Sequence, residues 1–210
     1  MIIMTVIPQL ASSQQSRGEA PNEELAKKIV DRNDKNAVKE LVENLGNKNK
    51  NIQSDCIKVL YEAGSLKPAL ISTYVKDFIS LLDHKNNRIQ WGAMIALDHI
   101  AKEDPDTIFK NLARIIIASD KGSVITRDHA VNILITLCRQ KRYAEDSFSL
   151  LIEQLMTSPA NQLPKYAEDA LPVVSEKNKK IFLKTLNSRL SDIEKDSKKK
   201  RVEKVIKKLS

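Results

Sequence analysis

One apolar pattern returns along this chain every 37 residues. Stepping by that interval aligns Cys56, Ala93, Ala130 and Ala167, then Val59, Ala96, Ile133 and Ala170, then Leu60, Leu97, Leu134 and Leu171. A fourth column holds Ile52, Ile89, Thr126 and Leu163. Several columns held in phase over successive copies signal a repeat array, because a period of roughly 20 to 50 residues marks one supersecondary unit stacked on itself. Within a copy the columns stand three and four residues apart, the spacing of one helix face. A separate column, Leu41, Phe78, Ile115 and Ile152, marks another helix in each copy. Each unit therefore reads as an antiparallel helix pair, and neither helix can bury its apolar stripe until the next pair stacks on it.

Composition agrees with this reading. Aromatic residues make up 4% of the chain, so the interior must be built from Ala, Leu, Ile and Val. With five Gly and seven Pro among 210 residues, neither an all-β nor a disordered chain fits. A long coiled coil is disfavoured by recurrent turns and by the lack of a sustained heptad. Residues 1–21 read as a loosely ordered leader with an apolar tip, and residues 22–210 as a single solenoid domain. A short helix from Pro21 to Val30, with Asn22 as its N-cap, covers the first repeat. The five helix pairs are then Asn36–Leu45 with Ile52–Ala63, Pro68–Asp83 with Asn87–Lys102, Pro105–Ser119 with Val124–Gln140, Ala144–Met156 with Leu163–Leu171, and Lys177–Leu190 with a helix over 198–209. Gly46 and Gly64 stand where left-handed C-terminal residues are expected. Pro68 and Pro105 suit first-turn positions, and Pro172 ends or kinks its helix.

The net charge of +8 is confined to one end of the chain. Residues 176–210 hold 13 Lys and Arg against 5 Asp and Glu; subtracting these from the totals of 35 and 27 leaves 22 of each sign in residues 1–175. Any pull on an anionic partner should concentrate at that end. Cys56 falls in the small-residue column and Cys138 lies in another repeat, so both are expected as free thiols rather than a disulfide. No apolar run approaches the roughly 20 residues of a membrane span. The apolar start lacks a basic region, and Pro8 cuts it short of a signal peptide. These features lead to a cytoplasmic location with no membrane contact.

The stretch Ile89-Gln90-Trp91-Gly92-Ala93-Met94-Ile95-Ala96-Leu97-Asp98-His99-Ile100 resembles the second-helix signature of HEAT repeats. Ile52–Leu60 and Thr126–Leu134 follow it more loosely, with Arg127 where that family often carries Arg. The resemblance covers residues 35–175 and extends to the last pair. It implies an all-α, right-handed superhelix whose second helices line a concave surface, and binding far more often than catalysis.

If the columns face inward, the opposite side of the second helices carries a concave face. Rotation by 100° per residue places on it Ser54, Lys58 and Tyr61, then Arg88, Trp91, Asp98 and Lys102, then Asp128, Asn132 and Arg139, then Lys165. Aromatics set among mixed charges suit a protein or peptide partner, and the expected function is a non-catalytic binding or scaffold module. The alternative is a nucleic-acid-binding protein, a degenerate relative of the alkylpurine DNA glycosylases, with Lys199, Lys200 and Lys204 of the final helix contacting phosphate. The bland reading of that helix is a solubilising polar cap.

Catalytic readings lack their residues. The deoxyhypusine hydroxylases, which share the repeat class, bind iron through His-Glu doublets, whereas His84, His99 and His129 are followed by Lys85, Ile100 and Ala130. There is no phosphate-cradling Gly-rich loop, no nucleophile elbow and no zinc-spaced Cys pair. The expectation is no catalytic residue, no metal, no cofactor and no small-molecule substrate.

Overall fold

The computed structural model describes residues 5–209, and every regular element among them is helical. The chain forms two compact units, Met1–Ala130 and Val131–Ser210, with the division falling inside one helix.

In the first unit, α1 (Ala20–Arg32) leads to α2 (Lys35–Glu43) and then to α3 (Lys50–Leu66). A short α4 (Val75–Ser80) precedes α5 (Asn87–Ile100), and α6 (Pro105–Lys110) and α7 (Leu112–Lys121) precede α8 (Val124–Cys138), in which the units divide. Side chains start these helices. Asn49 and Asn86 accept from the backbone N–H of Asn51 and Arg88, both at 2.9 Å, while Asp34 and Asp104 cap α2 and α6. Each such cap stabilises its helix by about 1 kcal/mol.

The inward columns are buried. Cys56, Ala93 and Ala130 have no exposure, nor have Val59, Ala96, Leu60, Leu97 and Ile89. Helix α3 packs against α5 on one side and α1 on the other. In α1 the residues Asn22, Leu25, Ala26 and Ile29 repeat the spacing of Cys56, Val59, Leu60 and Ala63 at an interval of 34, not 37. All four are buried, so α1 covers the first repeat as an out-of-register second helix.

Several boundaries differ from the sequence reading. The expected single helix over Pro68–Asp83 is two 3-10 turns, α4 and a third 3-10 turn. Here Ile71-Ser72-Thr73-Tyr74 brings β-branched and hydroxylated residues that resist a continuous α-helix. The expected Pro105–Ser119 helix breaks at Asn111, whose side chain donates to the Thr107 carbonyl at 2.9 Å. The first helices of repeats two and three are thus segmented, into four and two helical pieces where one each was expected.

Residues 5–19 of the leader are tied to the first helices. Val6, Leu10 and Ala11 are buried, and three backbone N–H groups are taken up by side chains of α1, α2 and α3. Val6 donates to Glu40 Oε2 at 2.9 Å, Ala11 to Asn22 Oδ1 at 2.9 Å and Ser12 to Asp55 Oδ2 at 2.8 Å. Met1–Met4 of the apolar tip lie outside the described residues. Asn22 is not the N-cap: α1 begins at Ala20, and Asn22 is buried as the bridge between the leader and α3.

Glycine serves size here rather than handedness. No glycine has a positive φ, and the left-handed cap of α1 is Asn33 at φ 49°. Gly46 closes a 3-10 turn, whereas Gly64 lies inside α3. A Cβ on Gly64 would run into Ile71, and one on Gly92 would stand 2.6 Å from Ile57 Cγ1.

In the second unit, α9 (Ala144–Thr157) and α10 (Leu163–Ala170) are followed by α11 (Lys179–Arg189) and α12 (Asp196–Leu209). Phe148 and Phe182 meet between α9 and α11 at 6.4 Å. Arg189 closes the C-terminus of α9, donating to the carbonyls of Leu155, Met156 and Ser158 at 2.7, 2.7 and 3.0 Å. Val202 and Val205 of α12 are buried. Leu171 is only half-buried, because the chain turns into a 3-10 segment around Pro172.

Gly92→Ala is expected to lower unfolding stability by about 1–3 kcal/mol, the cost of overpacking against a branched side chain, despite the better helix propensity of Ala. Urea unfolding measures it. Gly46→Ala, with open space around its Cβ position, is the control and should fall within about 0.5 kcal/mol of the parent.

Candidate recognition face on the second helices

The crossing of α3 and α5 brings four of the expected face residues together. Tyr61 on α3 and Trp91 on α5 stand with ring centroids 5.9 Å apart and planes tilted by 52°, within the range of favourable aromatic pairs. A cation flanks each ring. Lys58 Nζ lies 5.2 Å from the Tyr61 centroid, and Arg88 Cζ lies 5.8 Å from that of Trp91. Both rings are half-buried, so each presents one part to the packing and another to solvent.

Neither cation is unmatched. Lys58 reaches Glu62 at 2.7 Å and Glu23 at 3.2 Å, and its side chain is only 11% exposed. Burial opposes the ammonium charge, but the hydrogen bonds that it donates to Glu62 and Glu23 outweigh this and lift the amine above its ordinary range. Arg88 donates through Nη2 to Glu19 at 2.5 Å. Burial also pushes the Tyr61 phenol upward, against the opposing pull of Lys58. The face is thus an aromatic ledge held between two ion-paired cations.

The other expected residues are placed differently. Ser54 turns its hydroxyl back to the Lys50 carbonyl at 2.9 Å, and Lys102 is exposed just beyond α5. Asp98 faces His129 of α8, with Oδ2 2.7 Å from Nδ1, so it ties two helices of the first unit. Asp128 is half-buried on α8. Asn132, Arg139 and Lys165 belong to the second unit, where Lys165 pairs with Asp169 at 3.1 Å and lies over the Tyr166 ring. Sequence reasoning missed Glu19, Glu23 and Glu62. Glu62 stands four residues from Lys58, a legible helical pair. Glu19 and Glu23 belong to the region whose interval had slipped to 34, and only a search for that second register would have brought them onto the face.

In the basic final helix, Arg201 grips Glu168 with a fork of 2.9 and 2.5 Å, and Lys198 Nζ binds Asn161 at 3.0 Å. Lys200 and Lys204 are exposed and Lys199 is half-buried. Part of the basic end therefore closes the second unit.

Burial pushes both thiols up to about 12, reinforced for Cys56 by the neighbouring Asp55 and Glu40. Both are free, and neither has the character of an activated nucleophile. Burial also lowers His99, against the opposing charge of Asp98. Among the described residues, no group of three or more His, Cys, Asp and Glu side chains is placed to hold a metal. No helix among them is long and apolar enough to cross a membrane.

No protein-family model matches the chain, and no curated protein does. Solved structures do. A designed armadillo repeat protein in complex with the peptide (KR)4 superposes with a TM-score of 0.66 at 15% identity, covering 98% of each chain. A computationally designed armadillo repeat protein for modular peptide recognition gives 0.67 at 14% identity, over 97% of this chain and 98% of that one. An engineered protein gives 0.64 at 16% identity, over 99% and 98%. At these identities the likeness shows the fold, an all-α helical-repeat solenoid of the armadillo/HEAT class.

Two measurements follow. A thiol reagent at neutral pH should leave Cys56 and Cys138 unmodified in the native protein and modify both after unfolding. Glu168 is held below the ordinary carboxylate range, chiefly by its hydrogen bond to Arg201. Its pairing therefore stabilises the fold above that range and is lost as pH falls through the depressed value. Glu168→Gln should lower the melting temperature near neutrality, and the difference from the parent should close in acid and shrink in high salt.

Proposed function

We propose that this chain is a non-catalytic binding module that captures a peptide or protein segment on the α3–α5 face, with Tyr61 and Trp91 as its anchor. The observation that carries the reading is the half-buried aromatic pair, fixed between Lys58 and Arg88, each already matched to glutamate. Large aromatics with few rotamers supply most of the binding energy at protein interfaces. A ledge that is already ordered loses little freedom when a partner lands on it. The fold's likeness to repeat proteins designed for peptide recognition supports the same reading. The flanking charges are internally balanced, so recognition rests on apolar and aromatic side chains of the partner more than on its net charge. The two separate free thiols suit a reducing, cytoplasmic setting.

The test is selection from a random displayed-peptide library against the parent protein, with counter-selection against Tyr61→Ala/Trp91→Ala. Trp91 is the single Trp, so its fluorescence reports binding at the ledge without a label. Selected peptides should change that emission, and calorimetry should show each single alanine variant binding about 30-fold more weakly, the loss of about 2 kcal/mol typical of a central aromatic anchor. Peptides held equally well by the double variant would remove this face from the function.

A further inference from the structure

The cations of α12 divide into two sets. Arg201 and Lys198 turn toward α10 and the loop before it, where they hold Glu168 and Asn161. Lys200, Lys204, Lys207 and Lys208 are exposed, and among the described residues none of the four has a hydrogen bond or an ion pair. In the first unit, by contrast, Lys58, Arg88 and Arg114 are each matched to a carboxylate. The surplus charge of the chain therefore stands open on its last helix.

The spacing of these lysines gathers them on one side. At 3.6 residues per turn, steps of four, seven and eight residues from Lys200 spread the four over an arc of about 100° and about 12 Å of helix axis. That arc faces away from Val202 and Val205, which are buried. The acids of α12 lie at its margin: Glu203 adjoins the stripe and Asp196 stands in the first turn. Lys204 and Lys208 lie close enough to Glu168 to help lower its carboxyl, which places them on the α10 side of the stripe. The helix beneath is held by its two buried valines and by the fork from Arg201 to Glu168, so the stripe is carried on an ordered surface.

The partner is limited by what the stripe lacks. None of the exposed residues from Asp196 to Lys208 is aromatic or aliphatic, whereas protein partners draw most of their affinity from desolvated anchors of that kind. A helix lying on a membrane turns its apolar side outward, and here that side faces the interior. A nucleic-acid backbone needs neither, because lysines that displace its condensed counterions supply affinity without apolar contact. A duplex carries one charge per about 1.7 Å of axis, so about seven lie within the length of the stripe. Single strands are held by stacking their bases on aromatic rings, and this surface offers none. We propose that Lys200, Lys204, Lys207 and Lys208 form a docking surface for the phosphate backbone of a nucleic-acid duplex, held without readout of base sequence. Lys199, expected from the sequence to contact phosphate, is half-buried and off the stripe, and Lys207 and Lys208 take its place.

The test is fluorescence anisotropy with short labelled DNA and RNA duplexes of arbitrary sequence, titrated over a range of salt. The parent should bind the DNA duplex with a log–log salt slope of about −3.6, from four contacts at about −0.9 each, a loss of about 150-fold between about 50 and 200 mM salt. Lys204→Gln alone should flatten the slope by about 0.9. The combined variant Lys200→Gln/Lys204→Gln/Lys207→Gln/Lys208→Gln should melt with the parent and lose the binding. Lys27→Gln/Lys28→Gln/Lys48→Gln/Lys76→Gln makes the same change in net charge on exposed side chains of the first unit, and it should retain most of the binding. The duplex bound more tightly, DNA or RNA, identifies the source of the backbone. The inference is overturned if neither duplex is bound at low salt, if Lys204→Gln keeps the parental slope, or if the first-unit variant loses binding as fully as the α12 variant. Binding to phosphatidylserine vesicles in place of the duplexes would overturn it as well.

Discussion

The first unit depends on how closely α5 can lie against α3. Where the two helices meet, α5 offers Gly92, Ala93 and Ala96, and Gly92 leaves no room for even a Cβ beside Ile57. Small side chains at a crossing set the interaxial distance, because helices separate by whatever their contact residues demand. The spacing is then passed outward. Tyr61 stands one turn from Ile57 on the same side of α3, and Trp91 directly precedes Gly92, so the 5.9 Å separation of the rings is set beside this inner contact. A bulkier inner column would spread the rings and dissolve the ledge. Core and face are two readings of one distance.

Electrostatics then decides what kind of surface the ledge becomes. A lysine beside a tyrosine and an arginine beside a tryptophan could have formed a strongly basic groove. Glu23 and Glu62 on one side and Glu19 on the other prevent that. Lys58 remains charged despite its burial because its two carboxylate partners more than offset desolvation. The cations therefore act as fixed walls for the rings, and their charges are balanced locally. The basic excess lies at the other end of the sequence, where Arg201 and Lys198 are engaged within the second unit.

The sequence was most legible where the side chains point inward. The columns through Cys56, Val59 and Leu60 are periodic because each copy meets the same constraint, and nearly every member is buried. Tyr61 and Trp91 followed by rotation from those columns. The breaks at Ile71–Tyr74 and Asn111 were not legible, since local backbone preference there overrode an intact apolar stripe. The contacts of Arg88 with Glu19, 69 residues away, and of Ser12 with Asp55, 43 away, leave no periodic trace. They depend on where a non-repeating leader comes to rest. Asn22 was misread for the same reason: a polar residue near a helix start reads as a cap unless its buried partners are known.

The leader also closes the end of the first unit beside Arg88, one of the cations that flank the aromatic pair. A repeat array must cover the exposed side of its first unit, and this chain does so with α1 and a strap tied by polar groups as well as by Val6, Leu10 and Ala11. A polar strap must satisfy the groups it buries, and here the amide of Asn22 and the carboxylates of Asp55 and Glu19 find their partners in one another, in the strap backbone and in Arg88.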